Sequence, residues 1–320
     1  MPVLAMPLAA LAWLGRQGTR AIAALVFIGI AVPPIDALLR PYVTEAIFAL
    51  LCIAFVRLDP AALRGHLGRP RLVLAATAWT MLVLPGLYGV GGLLLGLGTR
   101  APDLYLALVL QAVASPMMAA PAFAALMGLD ATLVLVALVA CSALTPLTAP
   151  LFAYAFVGAG LTLSPITLGI KLLAILAGSM ALGTLIRKLI GARALARHRA
   201  EIDGFNIVVV FVFVGAVMEN VAANFAAAPL SMVGLLALAF ALSFGVLGLT
   251  ALVFARAGRE RALVLGLMAS QRNMGLMLAA TGGALPDMAW LWFALCQFPI
   301  YLTPQLLRPL TRRLAARVPA

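Results

Sequence analysis

The sequence predicts an all-α integral membrane protein with ten transmembrane helices, arranged as two inverted five-helix repeats. Three observations support this fold class. Of the 320 residues, 65% are apolar and 10% are charged, whereas a soluble domain carries about 25% charged residues. Apolar runs of about 20 residues recur along the chain, and each is long enough to cross a hydrocarbon core of about 30 Å. The basic residues are also distributed unequally between the segments that join these runs.

The predicted spans follow the apolar runs of a chain whose mean hydropathy is +1.13. Short alternating segments, which would indicate a membrane β-barrel, do not occur. The first 15 residues are too short to cross, and we expect an interfacial or partly inserted helix there. Asp130 precedes the fifth span and is expected to cap its helix. The ten spans cover roughly residues 20–38, 41–56, 72–97, 103–127, 131–156, 165–186, 205–222, 230–255, 262–285 and 288–307.

The net charge of +12 is concentrated on one side of the predicted membrane. With ten spans, 18 of the 22 basic residues fall on the side that carries both termini, and only Arg40 and Arg100 fall on the other. Lys171 and Arg272 lie within spans. Because cytoplasmic loops carry the excess of Lys and Arg, both termini are expected in the cytoplasm, with the chain in the plasma membrane (the inner membrane of a bacterium). This distribution indicates a lipid bilayer, rather than nucleic acid, as the partner of the basic residues.

The two halves, residues 1–160 and 161–320, are expected to be repeats of one five-span unit within a single membrane domain. An odd number of spans in each half forces the halves into opposite orientations. The segment LTAPLF (147–152) is similar to LTPQLL (302–307), at an offset of 155 residues. The same offset aligns Ser115-Pro116-Met117 in the fourth span with Ser270-Gln271-Arg272 in the ninth.

These two aligned segments are the least helix-like parts of their spans. SPMMAAP (115–121) contains two prolines, each of which removes a backbone donor and clashes with the preceding turn. SQRNMG (270–275) places four polar side chains and a glycine in the middle of a span. We expect both helices to be broken here and to meet near the midplane. Such breaks expose helix ends and free carbonyls, from which inverted-repeat transporters build binding sites.

Arg272 is the most informative single residue in the spans. A charged side chain at the bilayer centre costs at least about 2.5–3.5 kcal/mol on insertion scales, and arginine cannot escape that cost by losing its proton. It must therefore face a water-filled cavity, a carboxylate or an anionic ligand. Glu45 and Glu219 are the candidate carboxylates for a fixed ion pair.

The functional interpretation is that Arg272 offers a planar, bidentate fork to a carboxylate or sulfonate substrate. Neutral hydrogen bonds beside it are expected from Gln271, Asn273 and Ser270. The spans show no paired carboxylates, histidine clusters or nucleophile–base pairs, and both histidines lie in loops. We therefore expect no enzymatic activity, cofactor or metal site. The candidate substrate-binding residues are Arg272, Asn273, Gln271, Ser270, Ser115, Pro116, Met117 and Thr80.

Several features together resemble the bile acid:sodium symporter family. They are the ten-span plan, RPRLVL (69–74) at the start of the third span, GLDATLVLVALVACSALTPLTAP (128–150), and Asn273-x-Gly275-Leu276 in the ninth span. The resemblance implies a panel of spans one, two, six and seven beside a core of spans three to five and eight to ten. It also implies crossed, unwound fourth and ninth spans, and transport of organic anions by alternating access.

The chain departs from that family at the positions that correspond to its sodium ligands. A family glutamate falls at methionine, and other ligand positions fall at alanine, proline, valine or leucine, whose side chains offer no oxygen. We therefore expect a divergent secondary transporter of small organic anions that is not coupled to sodium in the family manner, with Arg272 supplying the charge of the missing ion. The departing positions are Met268, Arg272, Ala120-Pro121, Val134, Leu138 and Thr80.

Three other functions remain open from the sequence. The chain could be a sodium-coupled symporter with rearranged ion sites, or a membrane sensor or binding protein that has lost transport. It could also be an efflux transporter of the related arsenite type, for which a cysteine is expected in the fourth span, whereas Cys141 lies in the fifth. The expected partners are a small organic anion and the lipid bilayer, and the sequence gives no signal for an oligomeric state.

Overall fold

A computed structural model describes residues 5–17, 21, 38–57, 70–161, 163–218 and 221–315. Every regular element in these ranges is helical, and the only extended pairing among them is one isolated bridge. Glu219 and residues 22–37 of the predicted first span lie outside the described residues. Within the described part of the chain, the segments long and apolar enough to cross a membrane are Pro70–Leu94, Ala131–Val157, Pro165–Ile190, Arg199–Ala227 and Pro229–Val253.

The helices of the first half are α1 (Ala5–Gln17), α2 (Val43–Arg57), α3 (Pro70–Ala78), α4 (Leu84–Leu94), α5 (Leu97–Arg100), α6 (Pro102–Val113), α7 (Ala120–Leu126) and α8 (Ala131–Val157). A π-helical turn, Trp79–Val83, joins α3 to α4. The helices that follow are α9 (Pro165–Ile190), α10 (Ala192–Arg197), α11 (Arg199–Val217), α12 (Val221–Ala227), α13 (Pro229–Val253), α14 (Arg259–Ser270), α15 (Met274–Thr281) and α16 (Asp287–Ala315).

Predicted spans 41–56, 131–156, 165–186 and 230–255 each coincide with one helix to within a few residues, but α11 starts earlier than hydropathy indicates. It begins at Arg199 rather than near residue 205, because its first turns carry charged residues that a hydropathy window excludes. One of them, Asp203, forms a 2.7 Å ion pair with Arg57 at the end of α2. The pair lets charged residues continue the helix beyond its apolar part.

The described chain divides into two compact units. The first comprises Met1–Leu58, Leu173–Pro229 and Leu278–Gly283, and the second comprises Asp59–Leu172, Leu230–Met277 and Ala284–Ala320. These units do not follow the predicted halves 1–160 and 161–320, because a sequence repeat and a compact unit are different divisions of a chain.

In the first unit, α11 packs against both α1 and α2. The N-terminal segment forms a helix, as expected, and this helix lies so close to α11 that Gly15 touches the main chain of Ala200 and Gly204 touches that of Leu11. Small residues allow two helix backbones to approach in this way.

In the second unit, α8 is the central helix, in contact with α3, α4, α6, α7 and α14. Its buried face joins an enclosed apolar cluster with residues of α7 and α14. Val134 and Ala137 of α8, Ala120 of α7, and Leu265 and Met268 of α14 are all fully enclosed members. This cluster forms the base against which the two interrupted helices pack.

The start of α8 is fixed by Asp130, which confirms the predicted cap. Its Oδ1 accepts hydrogen bonds from the backbone N–H groups of Thr132 (3.1 Å) and Leu133 (2.9 Å). We expect Asp130→Ala to lower the free energy of unfolding by about 1 kcal/mol, because two helical donors lose their acceptor. Asp130→Asn retains an acceptor and should unfold near the wild-type temperature in the same detergent. Equal melting temperatures for Asp130→Ala and wild type would contradict a stabilising cap.

Candidate functional site

Two helix interruptions meet in the second unit. Helix α6 ends at Val113 and α7 begins at Ala120, while α14 ends at Ser270 and α15 begins at Met274. Both stretches that the sequence marks as least helix-like are therefore the places where helices stop and resume. All eight candidate residues belong to this unit.

The two interrupted stretches pair with each other as short extended segments. Pro116 and Arg272 face one another in an isolated antiparallel bridge. On either side of it, the Met117 N–H donates to the Gln271 carbonyl (2.7 Å) and the Asn273 N–H donates to the Ser115 carbonyl (2.8 Å). The bridge gives main-chain partners to groups that the broken helices leave without their usual ones.

The two prolines of the first stretch act differently. Pro116 lies inside the break, where it cannot supply the N–H that a continuing helix needs. Pro121 instead occupies the first turn of α7, where its missing N–H has no helical partner to lose. The break is thus set by Pro116, together with the extended backbone of Ala114 (φ −63°, ψ 146°).

The Arg272 guanidinium is buried and bound by main-chain carbonyls. It is 5% exposed. Nη1 and Nη2 donate to the carbonyl of Thr80 (3.3 and 3.2 Å), and Nη1 also donates to the carbonyl of Ala114 (3.0 Å). Among the described residues, no carboxylate lies within ion-pair distance of it, and Glu45 lies on the exposed surface of α2. Within the described residues, the partners of the guanidinium are therefore peptide carbonyls rather than Glu45; Glu219 lies outside these residues.

The carbonyl of Thr80 is available because of a specific irregularity in the third span. In the π-helical turn, the Leu84 N–H bonds the Trp79 carbonyl five residues back. The next donor in that register would be residue 85, which is a proline and has no N–H. Thr80 thus keeps a free carbonyl inside the unit, which Arg272 uses. π-Bulges of this kind occur frequently at functional sites.

The carbonyl of Ala114 is available for a related reason. It belongs to the C-terminal end of α6, where the last carbonyls of a helix lack intrahelical donors. A buried carbonyl without a donor costs about 1–3 kcal/mol. One guanidinium therefore satisfies two carbonyls that different backbone irregularities have released.

The side chains of Ser270 and Asn273, two other candidates, bond to the main chain of their own segments. Successive side chains of an extended segment point to opposite faces, so Gln271 and Asn273 point away from Arg272. The Asn273 Oδ1 accepts from the Leu276 N–H (3.2 Å) and caps α15, and the Ser270 hydroxyl donates to the Leu267 carbonyl (2.9 Å). These side chains close the helix ends on either side of the arginine.

Several enclosed polar atoms around the bridge lack a hydrogen-bond partner within the described chain. They include the hydroxyls of Ser115 and Thr80 and the Oε1 of Gln271, whereas Nε2 of Gln271 makes a 3.4 Å contact to the Ser270 hydroxyl. Buried polar atoms usually have partners. These unpartnered polar atoms distinguish the region around the Pro116–Arg272 bridge from the apolar cluster of α7, α8 and α14.

Thr80, one of the candidates, contacts Arg272 through its main-chain carbonyl. Ala114, whose carbonyl also binds Arg272, was not among the candidates. Tyr88, which packs with Ala269 at the end of α14, was not a candidate either. The available signal was Pro85, an interior proline in the third span that predicts a free carbonyl. A proline does not reveal which distant donor will reach that carbonyl.

Comparison of the chain with models of known protein families gives no match, and comparison with curated proteins also gives none. The function is therefore inferred from the geometry of this site and from the sequence motifs.

Proposed function

We propose that the protein is a secondary membrane transporter of small organic anions that works by alternating access, and we assign it no enzymatic activity. The observation that carries this proposal is that Arg272 is buried and charged without a carboxylate partner among the described residues. A permanently charged side chain is buried where two interrupted helices pair, and its hydrogen-bond partners are neutral carbonyls. Because carbonyls leave the net positive charge in place, the position attracts an anion.

We further infer a divergent member of the bile acid:sodium symporter family, with ten spans in two inverted repeats and crossing discontinuous helices. The division into compact units supports this architecture. Among the described residues, the first unit draws mainly on predicted spans two, six and seven, and the second on spans three to five and eight to ten. The resemblance divides panel from core in the same way. The pairing of 115–117 with 271–273 also joins segments that the 155-residue offset aligns.

The proposed topology places both termini in the cytoplasm and the protein in a plasma membrane, the inner membrane in a bacterium. Its support is the concentration of 18 basic residues on one side of the ten-span arrangement.

Sodium coupling of the family type is not part of this proposal. The residues at the corresponding positions, Ala120, Val134 and Met268, are enclosed in the apolar cluster of the second unit. Hard cations bind oxygen ligands, and these side chains offer none. Arg272 carries a fixed positive charge in the same region, so we infer that it takes the electrostatic role of a bound ion.

Uptake into proteoliposomes tests the proposed function. With purified protein and a panel of radiolabelled small carboxylates, we expect uptake above that of protein-free liposomes, at equal rates in sodium and choline buffers. Strict dependence on sodium would favour the symporter with rearranged ion sites. Anion binding without uptake would favour a sensor or binding protein, and unitary currents in planar bilayers would indicate a channel. Each of these outcomes contradicts the proposal.

A further inference from the structure

The hydrogen bonds of Arg272 leave one edge of the guanidinium without a partner. A guanidinium has five N–H donors in a fixed plane. The Thr80 carbonyl lies across the end formed by Nη1 and Nη2, and the Ala114 carbonyl takes a further bond from Nη1. The remaining donors are the Nε–H and the second hydrogen of Nη2, which point in the same direction. Neither has an acceptor among the described residues.

This edge is unpaired without being sealed. The Nε of Arg272 makes no hydrogen bond, yet it is not among the fully enclosed polar atoms without a partner in the described chain. Arg272 retains 5% of its surface. Nε is therefore the part of the group that an added acceptor can reach, whereas protein carbonyls already occupy Nη1 and one side of Nη2.

The neighbourhood of Arg272 combines one positive charge with a hydroxyl and an apolar surface. Tyr88 packs with Ala269, three residues before Arg272, and its hydroxyl makes no hydrogen bond within the described chain. The rings of Tyr88 and Trp79 are only partly buried and pack on Leu84, Val246 and Ala269. Arg272 is the only buried cationic side chain in the described part of the chain, so the site offers a single unit of charge.

We propose that the Nε–Nη2 edge of Arg272 binds one monocarboxylate side-on, and that the hydroxyl of Tyr88 is a second contact for it. The inference rests on the proposed transport of organic anions and names the group that is recognised. Two parallel N–H bonds match the two oxygens of a carboxylate, whereas a dianion brings a second charge that this site does not balance. The carbonyls of Thr80 and Ala114 act as positioning groups, because they fix the plane in which the free edge lies.

Binding to the detergent-purified full-length protein tests this assignment. The probes are the straight-chain carboxylates from acetate to octanoate and benzoate, each with its neutral amide, together with phenyl phosphate as a dianion. We expect wild type to bind one or more of the carboxylates in titration calorimetry, with no binding of the matching amide and at least about tenfold weaker binding of phenyl phosphate. Equal binding of carboxylate and amide, or no binding of any carboxylate, would overturn the assignment.

Two variants test whether carboxylate binding needs the paired N–H donors of the Nε–Nη2 edge or only the positive charge. Arg272→Lys keeps the charge but loses the fork, and we expect about 30-fold weaker carboxylate binding. Tyr88→Phe keeps Arg272 and both of its carbonyl contacts, so it tests the site even if Arg272→Lys does not fold; about fivefold weaker binding is expected on loss of one hydrogen bond. Wild-type affinity in Tyr88→Phe would show that Tyr88 does not contact the carboxylate. Wild-type affinity in Arg272→Lys would show that the bidentate edge is not needed for binding.

The outcomes also distinguish this inference from the proposed function. If Arg272→Lys transports carboxylates at the wild-type rate, side-on recognition is wrong although transport stands. A second pattern is that wild type binds a carboxylate in preference to its amide, with weaker binding in Arg272→Lys, while proteoliposomes show no uptake. In that case recognition by the Nε–Nη2 edge is correct and the transport proposal is wrong.

Discussion

Arg272→Gln is expected to abolish measurable uptake of organic anions by proteoliposomes while the protein remains folded. Glutamine removes the charge and shortens the side chain, so the anion loses both its counter-charge and its bidentate donor. Loss of one partner of a buried, hydrogen-bonded charge pair costs about 2–5 kcal/mol. At about 1.4 kcal/mol for each factor of ten, this corresponds to an affinity loss of about 30- to 4000-fold.

The stability of Arg272→Gln, compared with that of Arg272→Met, provides a second, independent measurement. The carbonyls of Thr80 and Ala114 lose their charged donor, at about 1–3 kcal/mol for each carbonyl left unpaired. Removal of a buried charge offsets part of that loss, because the desolvation of the guanidinium is no longer required. The side-chain amide introduced by Arg272→Gln can donate to one of the two carbonyls, whereas methionine has no donor. We therefore expect the melting temperatures in detergent to fall in the order wild type, Arg272→Gln, Arg272→Met.

Arg261→Gln is the matched control, since it makes the same substitution in the helix that leads to Arg272. Arg261 lies in the first turn of α14, where its Nη1 donates to the Ala257 carbonyl (3.2 Å). The uptake rate and melting temperature of Arg261→Gln should stay close to wild type, because substitutions of this kind near the surface usually change stability by less than about 0.5 kcal/mol. Wild-type uptake by Arg272→Gln, or equal loss in Arg261→Gln, would refute the assignment of the site to Arg272.

The positions of the helix interruptions could be predicted because their causes are local. Pro116 lacks an N–H, and the polar run from Ser270 to Asn273 favours turns and caps over a continuous apolar helix. The functions of individual polar residues were less predictable. Asn273 could be a ligand or a cap on sequence grounds, and its Oδ1 in fact accepts from the N–H of Leu276.

The partners of Arg272 could not be predicted, since they depend on backbone register in a different helix. A search by side-chain type identifies carboxylates such as Glu45, but the acceptors are carbonyls, which every residue has. Only the combination of a π-helical turn with Pro85 makes the Thr80 carbonyl exceptional. The contact joins residues 192 positions apart, a separation at which local sequence carries no information about proximity.

Contacts between helix backbones could not be predicted from the sequence either. The close contact at Gly204 leads to the second prediction of large effect. A β-carbon at Gly204 would overlap the carbonyl of Leu11, and one at Gly15 would overlap the carbonyl of Ala200. We expect Gly204→Val to force α1 away from α11, because the obstructing atoms are main chain and cannot move aside as a side chain would. Overpacking of this kind costs about 1–3 kcal/mol or more, so the melting temperature in detergent should fall by several degrees.

Detachment of α1 should also be visible directly, by limited proteolysis. The peptide bond that follows Arg16 should become sensitive to trypsin in Gly204→Val and stay protected in wild type, because a protease needs an unfolded, accessible segment. Gly234→Val is the matched control: Gly234 lies inside α13 with no atom near the position of a new β-carbon, so valine there should leave the melting temperature and the cleavage pattern unchanged. Wild-type stability in Gly204→Val would mean that α1 does not depend on this contact for its place. Equal destabilisation by both substitutions would attribute the effect to valine in a helix rather than to the α1–α11 contact.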